Sequence, residues 1–572
     1  MKVSDYIAYF LENKKIDHVF ELSGGMITHL LDSIHQRGAT RIVSVHHEQT
    51  AAFAADAVGR LTGKPGVALA TSGPGATNLL TGIGSCFFDS SPAIFITGQV
   101  NRSELKQQRE IRQLGFQETD IISMAKTVTK AAWQVNIPED LPGVLEDAFQ
   151  LATAGRPGPV LIDIPMDVQR SDLNLESIQP IKKRQDTNPI TPNSPLLVEL
   201  LNDLKEAKKP LILAGGGVFA SQSLDVFRQF IELVSVPVVH SLLGAGTVPY
   251  NHAQYVGFIG TYGNRWANLA LSECDCLLVL GSRLDIRQTG SDTANFVMGK
   301  KVYHVDCEAG EINNRLTGTR AVLSDLPSFF EAVFSLLRSA TFVRKKDWFA
   351  RINELKKKWP DTNELKNIDG MNPNTFFHAL SQSSGDAFGF FVDVGAHQMW
   401  AAQSLELLKN QRLITSGGMG AMGFSLPAAI GGSIVMGMPV VVIAGDGGMQ
   451  INIQELQTVF QNKLPIKIIV LNNQCLGMIR QFQESYFDSR YVSTVLGYSA
   501  PDFSKVAAAY GIPSRTISKE EETATSLDWL WEDPESPTLL QVMIDPKTGI
   551  YPKIAFGKSI SEMEPFSKPH KM

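Results

Sequence analysis

Short runs of apolar, mostly β-branched residues recur along the chain, and stretches in which apolar positions have helical spacing separate them. Such runs, bounded by turn residues, are typical of strands buried on both faces of a parallel sheet. The predicted strands are residues 67–70, 93–97, 160–164, 210–214, 276–280, 302–305, 440–444 and 466–471. Alternation of strands with helices predicts an α/β fold with doubly wound parallel sheets.

This α/β pattern occurs in three successive stretches, so we predict three domains. At 572 residues the chain exceeds the length at which one hydrophobic core stops growing. The first domain covers residues 1–170 and is followed by a polar, proline-rich linker at residues 171–195. The second domain covers residues 196–345 and the third covers residues 365–550. Residues 551–572 form a C-terminal tail.

Composition and charge exclude two classes of function. Apolar residues make up 44% of the chain, charged residues make up 19%, and no apolar run approaches the roughly 20 residues of a membrane span. The net charge of −6 provides no basic surface for nucleic acid. Five scattered cysteines favour a reducing compartment, and the N-terminus does not have the pattern of a targeting peptide. We therefore expect a cytoplasmic protein that binds neither nucleic acid nor a membrane.

Two polar motifs directly follow the last two predicted strands. They are Gly445-Asp446-Gly447 and Asn472-Asn473, and Asp446 and Asn473 are 27 residues apart. Both motifs are expected at the same sheet edge, where ligands of open α/β sheets bind. A carboxylate and an amide oxygen suit Mg²⁺, which takes one or two protein ligands and the remainder from phosphate and water. A Gly-Asp-Gly sequence alone is equally typical of an ordinary turn, so it is the pair that indicates a cation and diphosphate site.

Three further motifs have both a structural and a chemical interpretation. Glu48 stands at the start of an alanine-rich helix, where a lone glutamate usually complements the helix dipole. Residues 71–78 form a glycine-rich turn that opens a helix, and such backbone suits anions. Residues 415–424 combine several glycines with two methionines, which more often fill a core. The residue pattern alone leaves both interpretations open for each motif.

The Gly-Asp-Gly and Asn-Asn pair at this spacing resembles the signature of the thiamine diphosphate (ThDP) enzymes, whose fold is that of the pyruvate oxidases and decarboxylases. The resemblance implies pyrimidine-binding, central and diphosphate-binding domains in that order. It implies Mg²⁺ ligation by Asp446, Asn473 and the main-chain carbonyl of Cys475. It also implies that Glu48 hydrogen-bonds the pyrimidine ring of the cofactor and that Met422 holds the cofactor bent. The positions that match ThDP-binding positions are Glu48, Gly395, His397, Gln398, Gly420, Met422, Gly445, Asp446, Gly447, Asn473, Gly477 and Met478.

Over almost its entire length the sequence is similar to the large catalytic subunit of acetohydroxyacid synthase (acetolactate synthase). Residues 71–78, 96–100 and 155–160 carry much of this resemblance. It implies a transferase that decarboxylates pyruvate and passes the two-carbon unit to a 2-oxo acid. The matching positions on the donor side, which we take as catalytic candidates, are Gly25, Glu48, Phe116, Gln117 and Lys130.

The resemblance also implies FAD, which takes no redox part in that reaction. The alternative is a central domain that keeps these residues only in order to fold, as in relatives that have lost the flavin. The positions that match FAD-binding positions are Arg156, Gly215, Gly216, Gly217, Gly263, Gly281, Arg283, Asp285, Asp306 and Asp325.

The acceptor side departs from the synthase pattern. Thr261 replaces a methionine, Ile286 replaces an acid and Phe482 replaces a tryptophan, while Arg287 remains to pair with a carboxylate. The acceptor therefore stays open. Formation of acetolactate from two pyruvates is the leading hypothesis, and transfer to another ketone such as a keto sugar is the alternative.

Two other functions are disfavoured. A simple decarboxylase lacks support because the histidine pair of those enzymes has no clear counterpart, and a non-catalytic partner protein conflicts with the joint presence of Glu48, Asp446 and Asn473. The family joins such residues from different subunits, so the resemblance implies at least a homodimer and leaves open a tetramer and a regulatory subunit. The tail from Tyr551 resembles the segment that closes over the synthase site, which predicts a mobile lid.

Overall fold

The structure is a computed structural model that describes residues 1–174, 191–338, 341–365 and 368–569. Most of the predicted linker therefore lies outside the described residues. The chain forms two compact units. The first unit comprises the described parts of Met1–Asn188, together with Ser416–Met438 and Ile451–Ile466. The second unit comprises the described parts of Pro189–Thr415, Pro439–Gln450 and Lys467–Met572.

The first unit is built on a six-stranded parallel sheet. Its strands are β1 (His18–Leu22), β2 (Arg41–Ser44), β3 (Gly66–Ala70), β4 (Ala93–Gln99), β5 (Ala131–Gln134) and β6 (Pro159–Pro165). Their order is β2-β1-β3-β4-β6-β5. The accompanying helices are α1 (Val3–Asn13), α2 (Thr28–Arg37), α3 (Glu48–Thr62), α4 (Pro74–Asn78), α5 (Leu80–Asp89), α6 (Ile121–Ala125), α7 (Leu141–Thr153) and α8 (Met166–Arg170). The strands β3, β4 and β6, which the sequence predicts as buried, are buried along their whole lengths.

A second parallel sheet lies in the central region of the chain. Its strands are β7 (Pro210–Ala214), β8 (Val238–His240), β9 (Tyr255–Phe258), β10 (Cys276–Leu280), β11 (Lys301–Asp306) and β12 (Arg320–Leu323). Their order is β12-β11-β10-β7-β8-β9. The helices of this region are α9 (Ser194–Glu206), α10 (Gly217–Ala220), α11 (Leu224–Val234), α12 (Arg265–Glu273), α13 (Ile286–Thr289), α14 (Thr293–Val297), α15 (Leu326–Leu337) and α16 (Lys346–Lys358).

The third parallel sheet carries the two polar motifs at its strand ends. Its strands are β13 (Gly389–Val392), β14 (Arg412–Thr415), β15 (Val440–Gly445), β16 (Ile466–Asn472), β17 (Ser514–Ile517) and β18 (Thr538–Met543). Their order is β14-β13-β15-β16-β18-β17, so β15 and β16 are neighbours. The helices from this part of the chain are α17 (Pro373–Ser383), α18 (Ala396–Ser404), α19 (Ser425–Met436), α20 (Asp446–Ile451), α21 (Leu456–Gln461), α22 (Gly477–Tyr486), α23 (Phe503–Ala509) and α24 (Thr523–Leu530). In the tail, β19 (Lys553–Ile554) and β20 (Met563–Glu564) pair antiparallel.

Helices α19 and α21 belong to the first unit, although they follow β14 and β15 in the chain. Small residues let α19 approach α3 closely, since a Cβ at Gly431 would overlap the main-chain carbonyl of Ala54. The rings of Phe53 and Phe424 meet edge to face with centroids 5.2 Å apart. On α21, the Thr458 hydroxyl lies 3.0 Å from Nδ1 of His46. Helices that come from the third stretch of the sequence therefore pack against α3 and the segment before it, and they complete the first unit.

The three six-stranded parallel sheets confirm the predicted fold class. All eight predicted strands are present, each within two residues of its predicted bounds. Among the described residues, no helix is both long enough and apolar enough to span a bilayer.

Candidate active site

Glu48 is the first residue of α3, and its side chain is nearly buried. The helix begins here because Nδ1 of His47 accepts a hydrogen bond from the N–H of Gln49 at 3.0 Å. Oε2 of Glu48 accepts a hydrogen bond from Nδ2 of Asn78 at 2.9 Å. Oε1 lies 3.2 Å from the point that a Cβ of Gly75 would occupy. The carboxylate is thus held at one oxygen, and glycine leaves space beside the other.

The glycine-rich turn of residues 71–78 follows β3 and runs into α4, where it contacts two other candidate segments. A Cβ at Gly24 would lie 2.5 Å from Cβ of Thr71, so the turn before Gly25 lies directly against it. Gly73 has a φ of 64°, and a Cβ there would lie 3.0 Å from Cβ of Gln117. The structure therefore brings the segments of Gly25, Glu48 and Gln117 together around one turn.

The remaining donor-side candidates have different surroundings. Phe116 is 80% exposed on the single chain. The ammonium of Lys130 donates hydrogen bonds to the carbonyls of Ala154, at 2.6 Å, and Arg156, at 2.8 Å. Nε of Arg156 in turn donates to the hydroxyl of Ser90 at 2.8 Å. The contacts of Lys130 fix the loop before Arg156 and give it a positioning role in this structure.

Gly420 and Met422 lie in a tight turn at the start of the α19 segment. Gly420 has a φ of 67°, in the left-handed region that favours glycine. The hydroxyl of Ser416 accepts a hydrogen bond from the N–H of Ala421 at 3.1 Å and closes the turn. Met422 is half-buried.

Asp446 begins α20 directly after β15, in the second unit, and its side chain is buried. Oδ1 accepts a hydrogen bond from the N–H of Gly447 at 2.8 Å, whereas Oδ2 is buried with no hydrogen-bond partner among the described residues. Burial raises the pKa of this carboxyl to about 6, opposed by the polar groups that face it, which are the N–H of Gly447, the hydroxyl of Tyr498 and the N–H groups of Gln474 and Cys475. A buried carboxylate oxygen without a partner fits a bound cation, which would supply the missing interaction.

The Asn-Asn motif ends β16, and its two side chains point to different partners. Asn472 donates a hydrogen bond to Oε1 of Gln541 at 3.1 Å, which ties it to the sheet. Oδ1 of Asn473 accepts from the N–H of Cys475 at 3.3 Å, and a Cβ at Gly477 would lie 2.8 Å from Nδ2 of Asn473. The thiol of Cys475 is buried, which raises its pKa to about 11, so the protonated sulfur is a poor ligand. The donor set of Asp446, Asn473 and a main-chain carbonyl suits Mg²⁺.

The ring of His397 fills the space left by two glycines that match ThDP-binding positions. A Cβ at Gly445 would lie 2.7 Å from Nδ1 of His397, and a Cβ at Gly395 would lie 2.7 Å from its Cε1. Nε2 of His397 is buried with no hydrogen-bond partner in the described part of the chain, and burial lowers the pKa to about 4. Gln398 donates to the hydroxyl of Thr415 at 2.7 Å. The site therefore holds a neutral imidazole with one nitrogen available to a ligand.

The central-domain candidates lie at or just after the carboxyl ends of β7, β9, β10, β11 and β12. The N–H of Gly217 donates to the carbonyl of Gly281 at 2.9 Å, and a Cβ on Gly217 would lie 2.6 Å from Cα of Gly281. Only glycines permit this close approach of the loops that follow β7 and β10, which lie at the sheet edge where nucleotides bind in open α/β folds. The three acidic candidates accept main-chain N–H groups, Asp285 from Arg287, Asp306 from Glu308 and Asp325 from Ser328. Arg283 lies 3.5 Å from Asp285, and Gly263 has no room for a side chain against Ile259.

The acceptor-side candidates meet the C-terminal tail. The N–H of Thr261 donates to the carbonyl of Arg287 at 2.6 Å, and the carbonyl of Thr261 accepts from the N–H of Ile554 at 2.7 Å. Ile286 and Arg287 begin α13 and are exposed. On α22, the ring of Phe482 lies 4.7 Å from that of Tyr486, which contacts Phe556 of the tail at 6.2 Å. The tail therefore contacts both groups of acceptor-side residues.

The tail is anchored by residues that the sequence does not reveal as functional. Arg265 forms a buried, bidentate ion pair with Glu364, at 2.7 and 2.8 Å. Its guanidinium also donates to the carbonyl of Glu564 at 2.9 Å and lies over the ring of Phe566. Because Arg265 and Glu564 are 299 residues apart, no local motif signals this contact.

Comparisons with known proteins agree on one family over the whole chain. Residues 1–124 match the N-terminal TPP-binding domain of thiamine pyrophosphate enzymes, residues 197–333 the central domain and residues 393–542 the C-terminal TPP-binding domain. The acetolactate synthase large subunit of Cyanidium caldarium is 35% identical over 97% of this chain and 95% of that protein. The corresponding protein of Lactococcus lactis is 36% identical over 98% of this chain and 95% of that protein. The acetolactate synthase isozyme 2 large subunit of Escherichia coli K12 is 35% identical over 98% of this chain and 99% of that protein.

Proposed function

Because the chain belongs to the thiamine pyrophosphate enzymes, in the family of the acetolactate synthase large subunits, we propose that it condenses two molecules of pyruvate to acetolactate with loss of CO₂. It is a ThDP-dependent carboligase, a transferase of aldehyde or ketone residues, and the cofactors of its family are ThDP, Mg²⁺ and FAD. Two carboxylates carry the proposal. Asn78 hydrogen-bonds only one oxygen of Glu48, and Oδ2 of Asp446 is buried with no hydrogen-bond partner among the described residues.

The residues around Asp446 support binding of Mg²⁺ and the diphosphate. We assign Asp446, Asn473 and the carbonyl of Cys475 as cation ligands, since the first leaves a buried oxygen without a partner and all three follow β15 and β16. The neutral imidazole of His397, held against Gly395 and Gly445, provides an uncharged hydrogen-bonding nitrogen beside these residues.

The residues around Glu48 support the role of proton carrier. When bound, ThDP supplies the nucleophilic carbon and the electron sink that decarboxylation needs. Asn78 holds one oxygen of Glu48, and the free oxygen facing Gly75 is the one we assign to exchange a proton with the pyrimidine ring.

The loops of the central domain support FAD binding. Gly215, Gly217 and Gly281 let the backbones of two loops pack closely, and a side chain at any of these positions would clash with the facing loop. Arg283 lies in the loop at the carboxyl end of β10, and Arg156 lies in the loop between α7 and β6. We assign both as cations for the diphosphate of FAD.

Arg287 supports a 2-oxo acid as the acceptor. Arg287 is exposed at the first turn of α13, and its main-chain carbonyl accepts a hydrogen bond from the N–H of Thr261. A guanidinium in this place would pair with the carboxylate of the second pyruvate.

A homodimer in the cytoplasm completes the proposal. Four apolar side chains from one stretch of the first unit, Ile111, Leu114, Phe116 and Met124, are at least two-fifths exposed on the single chain, which supports a second copy covering them. The structure describes all five cysteines and joins none of them in a disulfide, which fits a reducing compartment.

The test is product analysis by mass spectrometry with pyruvate, ThDP, Mg²⁺ and FAD, with each cofactor omitted in turn and with a panel of 2-oxo acids and keto sugars added. We expect rapid acetolactate from pyruvate alone and no product without ThDP or Mg²⁺. Slow acetolactate formation together with fast adduct formation on a keto sugar would show that the keto sugar, and not a second pyruvate, is the acceptor. Failure to bind ThDP at all would overturn the catalytic proposal.

A further inference from the structure

The segment Ser416–Ala421, which leads to Met422, contacts α5 through the carboxylate of Asp89 and, at its start, through the hydroxyls of Ser85 and Ser416, which lie 3.4 Å apart. The N–H of Gly417 donates to Oδ2 of Asp89 at 2.9 Å, and the N–H of Gly418 donates to Oδ1 at 2.6 Å. Asp89 is the last residue of α5, and its side chain is fully buried. Two consecutive amides therefore depend on a single charged acceptor.

This carboxylate belongs to a buried charge network. Nη2 of Arg60 lies 2.9 Å from Oδ2 of Asp89. The same guanidinium forms a bidentate pair with Asp56, at 2.7 and 2.8 Å, and Asp56 accepts from the hydroxyl of Ser85 at 3.0 Å. Hydrogen bonds to a charged, desolvated acceptor are stronger and geometrically stricter than those between neutral groups. Asp89 is thus held in place independently of the segment that it binds.

The shape of the segment matches this attachment. A Cβ at Gly418 would lie 2.8 Å from Oδ1 of Asp89, so only glycine permits the short hydrogen bond. Sδ of Met419 lies 3.3 Å from the point that a Cβ of Gly84 would occupy, which places Met419 on the surface of α5. The turn is closed by Ser416 and Ala421 just before Met422. Fixing Gly417 and Gly418 therefore also fixes the start of the turn that ends at Met422.

We propose that Asp89 is a positioning residue for the cofactor site, which sets the place of Gly420 and Met422 through its two hydrogen bonds to Gly417 and Gly418 without touching ThDP itself. The proposal rests on the proposed function, since it uses the assignment of Gly420 and Met422 to ThDP. Arg60 acts one step further away, because it holds the Asp89 carboxylate.

The test compares Asp89→Asn with the matched variant Asp56→Asn, which removes a buried charge from the same arginine but leaves the bonds to Gly417 and Gly418. In the cofactor-free protein, hydrogen exchange of the Gly417 and Gly418 amides should become roughly tenfold faster in Asp89→Asn, the effect of losing a charge-assisted hydrogen bond. The Kd for ThDP, measured by fluorescence titration with Mg²⁺, should rise roughly tenfold as well. In Asp56→Asn we expect both values to stay within about twofold of the wild type, even where the melting temperature falls equally.

The outcomes separate this proposal from the proposed function. Unchanged amide exchange in Asp89→Asn, unchanged ThDP affinity despite faster exchange, or equal weakening of ThDP binding in both variants would each overturn the positioning role. Absence of ThDP binding by the wild type would instead overturn the proposed function. Should Asp89→Asn not fold, Gly418→Ala takes its place, since its Cβ displaces the exposed segment from Asp89 and leaves the buried charges intact.

Discussion

The carboxylates of Glu48 and Asp446 show how a single residue is prepared for chemistry. Both side chains are nearly buried, yet each leaves an oxygen that the fold does not fully satisfy. Buried polar atoms are normally hydrogen-bonded, because leaving them unpaired costs free energy of folding. The fold carries this cost at Asp446, whose Oδ2 is buried without a hydrogen-bond partner among the described residues, as expected for a ligand-binding position.

Replacement of Glu48 by glutamine should remove most of the activity while the fold persists. The glutamine side chain would keep the shape and the contact with Asn78 but could not exchange the proton, so we expect kcat to fall roughly 100- to 10,000-fold. Steady-state rates with pyruvate measure this, and circular dichroism should show an unchanged fold. Glu12→Gln, an exposed carboxylate on α1, is the control and should retain full activity. A rate within about threefold of the wild type would remove Glu48 from its proposed role.

Sequence motifs identify such functional residues only where positions close to them in the chain form a recognisable pattern. Glu48, Asp446 and Asn473 each follow a strand at a recognisable spacing, and the sequence predicts all three as candidates. Asp89 gives no such signal, because it binds Gly418 across 329 residues of chain.

At the scale of helices and strands, burial decides which elements the sequence predicts well. The fully apolar strands such as β3 and β15 are confirmed because few alternatives bury such runs. Apolar positions within residues 452–460 have the spacing of a single helix, but the structure has a short 3-10 turn, Ile453–Glu455, followed by α21. Asn452 donates to the carbonyl of Gly423 and to Gln49, contacts between distant segments that the local pattern does not contain.

The C-terminal hairpin β19–β20 is held as firmly as an internal element. Ile554, Ile560 and Met563 are buried in a hydrophobic core cluster with residues of the central region. The ion pair of Arg265 and Glu364 fixes its second strand. The family resemblance predicts that this segment closes over the site. In this structure the hairpin is docked at a defined position within the second unit.

Replacement of Glu364 by glutamine should release this hairpin. Removing one partner of a buried ion pair leaves the Arg265 charge uncompensated, and we expect a loss of about 3 kcal/mol in the free energy of unfolding. Urea unfolding measures the loss, and limited proteolysis should cut the tail sooner. The control is Glu354→Gln, whose exposed pair with Arg351 should contribute less than about 0.5 kcal/mol. Equal stability of the two variants would show that the buried pair does not anchor the hairpin.

At the scale of the whole molecule, the two proposed half-sites lie on different units. Glu48 belongs to the first, whereas Asp446, Asn473 and His397 belong to the second. The proposed homodimer joins half-sites from different copies, so each inactive variant should be able to supply the half that the other lacks.

Co-expression of Glu48→Gln with Asp446→Ala tests this arrangement. Random pairing makes half of the dimers mixed, and each mixed dimer has one intact site, so we expect about a quarter of the wild-type activity. Each variant expressed alone should be nearly inactive. A mixture as inactive as its parents would show that Glu48 and Asp446 act within one chain.

The position of α19 and α21 in the first unit has a consequence for biosynthesis. The face of α3 that contacts α19 consists of small, apolar residues. The ribosome synthesises the strands of the first sheet and α3 long before it synthesises α19. At roughly 5–20 residues per second, the interval between residue 170 and residue 466 is about 15–60 s. During that time the nascent chain exposes a hydrophobic surface that only its own later segments can cover, so the amino-terminal half should need protection by chaperones until synthesis is nearly complete.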